Sequence, residues 1–131
     1  MKAKRIDHIN LRIPEDRVDR AVEFYRDKLG FETAKLEEYK AGERTSFFIM
    51  TGETSMINIR PKKSFKKPDT KNFDHFCLVL AENIESIKEK LSKADIEIIR
   101  ESKPLGSKGR APAVYIRDPF NYKIELKSAK T

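Results

Sequence analysis

The sequence predicts an α+β fold of two β-α-β-β-β modules in one chain, and three observations predict it. A strand-like stretch, Asp7-His8-Ile9-Asn10-Leu11-Arg12-Ile13, recurs as Asp74-His75-Phe76-Cys77-Leu78-Val79-Leu80. The far end of each half keeps the same spacing. His75 follows His8 by 67 residues and Glu125 follows Asn58 by the same 67, which lays Ile57-Asn58-Ile59 over Ile124-Glu125-Leu126. Between these points an amphipathic helical stretch falls in the same order in both halves. Internal repetition of this kind fixes the architecture. The helix of each half covers one face of its curved sheet and leaves the concave face to be closed by the other half. The expectation is therefore a curved, barrel-like mixed sheet with its helices outside.

Residues 7–13 alternate with period two, so they read as a strand with Ile9, Leu11 and Ile13 on one face and His8, Asn10 and Arg12 on the other. Pro14-Glu15-Asp16-Arg17 suits a helix start. Val18, Ala21, Val22, Tyr25 and Leu29 form an apolar helical stripe, which Gly30 ends as the left-handed C-cap. Residues 31–39 read as an edge-like strand and Ala41-Gly42-Glu43 as a turn. Residues 45–51 read as a buried strand, and residues 55–60 as one with Ile57 and Ile59 opposite Met56, Asn58 and Arg60. Residues 61–72 carry two prolines and five lysines with little that can pack, and read as a linker. Module one is thus 1–60 and module two 73–131 of a single domain, 1–131. In the second module, residues 74–80 form a strand. Asn83 caps a helix whose stripe is Ile84, Ile87, Leu91 and Ala94. Residues 96–101, 113–117 and 122–127 read as strands. Residues 104–109 form a loop and Asp118-Pro119-Phe120-Asn121 a turn.

Composition narrows the function classes. A chain of 131 residues buries about two thirds of its extended surface, enough for a real core. The net charge of +7 comes with both signs mixed, as on a solvated surface. The one basic cluster, Lys62-Lys63 with Lys66-Lys67, lies in the linker and has only Phe65 as an aromatic companion, so nucleic-acid binding is not expected. A single cysteine, Cys77, excludes an intrachain disulfide. The first residues lack the apolar run of a secretory signal and no run is long enough to span a membrane, so a cytoplasmic protein with no membrane partner is expected.

The repeat places four residues in equivalent positions on inner-facing strands: His8 and His75 on the first strands, Asn58 and Glu125 on the last. Glu125 stands between Ile124 and Leu126, hence on the face opposite the apolar layer, where a carboxylate is costly unless paired or bound to a cation. A lone histidine on a strand is usually a hydrogen-bonded core residue, and a lone glutamate near a terminus is usually solvated or paired, here by Lys123 or Lys127. The conjunction is what points elsewhere. Two imidazoles and one carboxylate with open positions form a facial set for Fe(II) or a similar divalent ion, held centrally between the modules. Asn58 offers a carbonyl oxygen as a fourth position but cannot take a proton.

These residues resemble the vicinal oxygen chelate superfamily, the glyoxalase / bleomycin resistance protein / dioxygenase family. The resemblance is carried by Ile6-Asp7-His8-Ile9, by residues 21–31 (Ala-Val-Glu-Phe-Tyr-Arg-Asp-Lys-Leu-Gly-Phe), by Phe73-Asp74-His75-Phe76 and by residues 118–126 (Asp-Pro-Phe-Asn-Tyr-Lys-Ile-Glu-Leu). It implies paired β-α-β-β-β modules around one divalent metal ion per site, whether nickel, cobalt, zinc, iron or manganese. The ligands would be His8, His75 and Glu125, with Glu125 also the catalytic carboxylate. Many glyoxalase-like lyases carry glutamate where Asn58 stands, and the turn commonly has glycine where Asn121 stands. Asparagine tolerates the left-handed backbone that such a turn needs.

A metal with open positions would bind neighbouring oxygens of a small-molecule substrate and polarise them as a Lewis acid. Arg12, Arg60, Lys108 and Arg110 are candidate basic residues at the mouth, so an anionic or oxygen-rich substrate is expected, with Asn10 and Asn58 as further contacts. Tyr115 is a candidate inner-face hydroxyl, although the alternation of its strand admits either face. Cys77 shares a face with His75 and reads as packing. Residues 106–109 read equally as a mobile flap or a plain hairpin. Three functions follow from the resemblance: a metal-dependent lyase or isomerase of the glyoxalase type; an Fe(II) or Mn(II) extradiol-type dioxygenase or fosfomycin-type thiol transferase; and a metal-free binding protein of the bleomycin-sequestering type. The modules can pair within one chain or between two, and the resemblance implies a homodimer.

Overall fold

The structure, a computed structural model, describes residues 1–130. They fall into two compact units, Met1–Lys66 and a second that begins at Lys67. The strands sort into two separate four-stranded mixed sheets rather than one sheet closed into a barrel.

In the first unit β1 (His8–Pro14) pairs in parallel with β4 (Met56–Lys62), and β3 (Phe47–Met50) and β2 (Glu32–Ala34) follow antiparallel, giving the order β1-β4-β3-β2. The alternation of β1 has the predicted result: Leu11 and Ile13 are buried together with Ile57, Ile59, Phe47 and Ile49. Each of these side chains contributes about 1.5–3 kcal/mol by leaving water.

The first helix begins as one turn of 3-10 helix (Glu15–Arg17), becomes α1 (Val18–Val22) and continues as a π-helical segment (Glu23–Lys28). The Leu29 amide donates to the Phe24 carbonyl, five residues back, at 2.9 Å. That wider turn lets the adjacent Phe24 and Tyr25 both be buried, which adds Phe24 to the predicted stripe. Gly30, at φ 83°, and the bond from the Phe31 amide to the Tyr25 carbonyl close the helix.

Residues 31–39 depart from the predicted strand. Only Glu32–Ala34 is extended; Lys35 turns left-handed at φ 63°, and Leu36–Lys40 forms α2. Leu-Glu-Glu-Tyr-Lys is a run of helix formers, acidic at its start and basic at its end, and it buries Leu36. β4 also runs on through Pro61 and Lys62, which the sequence assigned to the linker. Proline is tolerated there because β3 pairs no farther than Ile59, which leaves Pro61 beside β1 alone.

In the second unit β5 (Phe76–Leu80) pairs in parallel with β10 (Lys123–Ser128), followed by β9 (Ala113–Arg117) and β6 (Arg100–Ser102), in the order β5-β10-β9-β6. The repeat extends to the register: Ile9 faces Ile57 in one sheet and Phe76 faces Ile124 in the other. α3 (Ile84–Lys93) lies against β10 and buries Ile87 and Leu91. The Asn83 side chain accepts from the Ser86 amide at 2.9 Å, the expected N-cap. The strand expected over 96–101 is only Arg100–Ser102, and the loop expected over 104–109 contains a small hairpin of β7 (Leu105–Gly106) and β8 (Gly109–Arg110). The turn before β10 is organised by Asp118, whose Oδ1 accepts from the amides of Phe120 and Tyr122, both at 2.9 Å. Asn121 occupies its left-handed position at φ 77°. This turn sets the register that places Tyr115 opposite Glu125. No helix among the described residues is long and apolar enough to cross a membrane.

Candidate metal centre

Each sheet has an apolar face, packed into its unit's core, and a second face that carries polar residues in the predicted places. In the second unit that face holds His75, Cys77, Glu125, Lys127, Tyr115 and Arg100, which the strand registers set side by side. Glu125 is 6% exposed, and its Oε2 lies 2.9 Å from His75 Nε2. The other ring nitrogen, His75 Nδ1, is held by the Asp74 carboxylate.

That geometry poses a question of proton count. A neutral imidazole has one N–H, yet both nitrogens of His75 face a carboxylate. With the proton on Nδ1, donated to Asp74, the Nε2 lone pair confronts the oxygen of Glu125. Only a second proton or a cation between them makes that approach favourable. A nitrogen lone pair and a carboxylate oxygen converging on one place, behind a carboxylate that orients the ring, are donors of the kinds that divalent transition-metal ions take.

In the first unit His8 is exposed, and its Nδ1 lies 2.9 Å from Asp7 Oδ2, the same orienting contact one repeat earlier. Histidine bonding holds both aspartates below the usual carboxylate range: His8 is the largest cause at Asp7, and His75 at Asp74. Asn58 is buried at 9% exposure and donates from Nδ2 to Asn10 Oδ1 at 2.7 Å, while its own Oδ1 has no partner. An amide is uncharged, so this position adds no ligand charge and no proton acceptor. Among the described residues no group of three or more His, Cys, Asp or Glu side chains is arranged to hold a metal. The donors that meet are His75 and Glu125; His8 lies in the other unit.

The remaining predicted residues take up varied places. Tyr115 is buried at 4% exposure on the Glu125 face, its ring nearly perpendicular to that of His75 at 5.3 Å between centroids. Asn10, Arg12 and Arg60 line the polar face of the first sheet, where Asn10 faces Asn58 and Arg12 faces Arg60. Lys108 sits in the tip of the β7–β8 hairpin, and Arg110, on β8, donates to the Lys103 carbonyl at 3.2 Å.

Three cations lie on the Glu125 face: Lys123 and Lys127, which the sequence offered as partners of Glu125, and Arg100, which it did not single out. Lys127 is buried and donates from Nζ to the carbonyls of Pro104 (3.2 Å) and Gly109 (3.0 Å), tying the hairpin to the sheet. Lys123 lies 3.4 Å from Asp74 and 5.4 Å from the Tyr115 ring centroid. Arg100 stacks over the same ring at 4.6 Å. For the two lysines the signal was present, since both alternate with Glu125; for Arg100 it required the cross-strand register. Cys77, opposite Glu125, has its thiol pushed up to about 11, first by burial and then by the Glu125 charge. Clefts lined by Val18, Val22 and Tyr39, and by Lys88, Ser92 and Ile98, contain neither histidine.

Known proteins are similar to this chain in sequence or in fold. The chain is 30% identical over 123 residues, 91% of each sequence, to the "Probable lactoylglutathione lyase" of Synechocystis. A virulence protein from Salmonella typhimurium has a similar fold, with a TM-score of 0.76 at 22% identity over 98% of both chains. So does lactoylglutathione lyase from Agrobacterium tumefaciens, with a TM-score of 0.68 at 22% identity over 99% of this chain and 97% of that one. Residues 5–126, nearly all of the repeat just described, match one family as a whole. The chain belongs to the glyoxalase/bleomycin resistance protein/dioxygenase superfamily.

Proposed function

We propose that this chain is a divalent-metal-dependent enzyme acting on a small, oxygen-rich molecule, with a glyoxalase-type lyase or isomerase reaction, and that His8, His75 and Glu125 hold the metal. The observation that carries this reading is His75, both of whose ring nitrogens face carboxylates. The name of the Synechocystis relative supports the reaction class. When bound, the metal supplies Lewis-acid polarisation of two neighbouring substrate oxygens.

The chain's own residues supply the rest. Asp74 and Asp7 fix the orientation of the two imidazoles. Glu125 is the one carboxylate at the repeat's four site positions, because Asn58 cannot carry a proton. A lyase or isomerase reaction here thus relies on a single acid–base group, which removes a hydrogen from one carbon and returns it to the neighbouring carbon. The buried, unpartnered Oδ1 of Asn58 is suited to accept a hydrogen bond from a substrate hydroxyl. A homodimer, with modules paired within or between chains, completes the proposal.

Metal analysis of protein purified without added salts, followed by assay with methylglyoxal hemithioacetal, tests it. Stoichiometric nickel, cobalt or zinc with turnover is expected. Protein that takes up no metal would replace this reading with a metal-free binding protein. Asn58 favours a second reading, because two imidazoles, one carboxylate and a neutral fourth position suit Fe(II) or Mn(II). Iron or manganese with cleavage of a catechol would select that extradiol-type reaction; thiol transfer to fosfomycin is the remaining assay for the same donor set.

A further inference from the structure

We infer that Arg100, stacked on Tyr115 beside His75 and Glu125, is a subsite for a carboxylate carried by the substrate. The inference rests on the metal-centre reading and names a chemical group that its substrate would carry. Arg100, Tyr115 and Glu125 stand directly opposite one another on three adjacent strands, so their side chains share one face. The guanidinium carbon lies 4.6 Å from the Tyr115 ring centroid, and that ring stands nearly perpendicular to His75. A second cation, the Lys123 ammonium, approaches the same ring at 5.4 Å.

Three other arginines have donors already engaged. Arg44 is over Phe48 at 4.9 Å, the equivalent position of the first sheet, but its Nε donates to the Ser46 carbonyl at 3.2 Å. Arg110 donates to Lys103, and Arg26 pairs with Asp27. Arg100 is exposed and, among the described residues, its one contact is the ring. Stacking holds the guanidinium plane and leaves its five N–H donors for an acceptor. Two coplanar oxygens match that fork, and a carboxylate presents them. Two strand spacings separate the backbones of Arg100 and Glu125 by about 10 Å, so the carboxylate sits at the opposite end of the substrate from the reacting oxygens.

The test uses the full chain, 15N-labelled and treated with EDTA, so that it does not depend on the metal. Succinate and inorganic phosphate are titrated while the arginine Nε–H resonances are followed. Succinate is expected to move the Arg100 resonance saturably and to leave that of Arg26 in place. R100K, which keeps the charge but loses the fork, should weaken the apparent affinity about tenfold. In turnover the same variant should raise KM with little change in kcat. An Arg100 resonance that does not respond, equal movement of all arginines, unchanged affinity in R100K, or tighter binding of phosphate than of succinate would each overturn the assignment. Failure of metal uptake would refute the metal centre without altering this result.

Discussion

Replacing Glu125 with glutamine tests the metal centre most directly, because it removes the charge and keeps the shape. Glu125 is 6% exposed and faces His75 Nε2 at 2.9 Å. The glutamine amide can donate to that nitrogen when Nδ1–H is engaged by Asp74, so the metal-free fold should keep its stability within about 1 kcal/mol. The metal-bound state behaves differently. Unfolding entropy of about 2.1 cal/mol/K per residue gives this chain roughly 0.28 kcal/mol/K, so each kcal/mol moves the melting temperature by about 3.6 °C. A metal present at about 100 times its Kd contributes about 2.7 kcal/mol, hence a rise of about 10 °C. Loss of even an outer carboxylate weakens metal affinity about 10- to 100-fold, and loss of a ligand carboxylate should reach at least the upper figure. At the same metal concentration E125Q would then retain about 0.4 kcal/mol, or about 1.5 °C. Differential scanning fluorimetry with nickel, cobalt and zinc, each titrated into both proteins, measures the difference. Equal shifts in the two proteins would remove Glu125 from the ligand set.

Four further outcomes are expected. D74N, which alters the partner that orients His75, should lower metal affinity by about 10- to 100-fold in a competition titration against a chromophoric chelator. Cys77 counts as exposed, but its thiol is lifted to about 11, so alkylation by iodoacetamide at pH 8 should be slow and should accelerate as pH rises toward that value. Relative to an ordinary thiol near 9 the thiolate fraction is about a hundredfold smaller, and E125Q should recover part of the rate. K127M breaks two charge-assisted bonds to the hairpin and should cost about 2 kcal/mol, with faster amide exchange at residues 103–110 by mass spectrometry. N83A removes the cap on α3 and should cost about 1 kcal/mol, read as a melting shift of about 3–4 °C.

Much of the fold was legible because the repeat preserves spacing, and spacing in a sheet is register. The offset between His8 and His75 is the offset between the two parallel pairings, so alternation alone put Asn58 and Glu125 on the polar faces. Alternation failed where a strand is buried on both sides. Ala113, Val114, Tyr115 and Ile116 are all at or below 4% exposure, which leaves no polar residue to mark a face, and only pairing with β10 places Tyr115 beside Glu125. It failed again at residues 36–40, where a five-residue helix is too short for an apolar period and capping depends on the backbone of Lys35. The role of Lys127 was hidden for a different reason. Lysines near a glutamate suggest ion pairs, yet Lys127 binds carbonyl oxygens at a segment that sequence alone left undecided between a mobile flap and a plain hairpin.

Duplication alone would give two equal halves, and the differences between them bear on the proposed chemistry. Both halves keep an aspartate-oriented histidine, and both place an arginine over an aromatic ring opposite the last strand: Arg44 over Phe48, Arg100 over Tyr115. The residue beside that ring is Asn58 in the first half and Glu125 in the second. Asn58 is neutral, amide-bonded to Asn10 and short of one donor, whereas Glu125 is charged and in contact with an imidazole. On the proposed reading, Asn58 would offer hydrogen bonds to a substrate and Glu125 the charge and the transferable proton. If that division is correct, N58E should add a second carboxylate, tighten divalent-metal binding and create a competing base. N58D should do so less well, its carboxylate being one methylene shorter. If both variants leave metal affinity unchanged while Glu125 substitution abolishes it, Asn58 stands outside the coordination shell and acts on substrate alone.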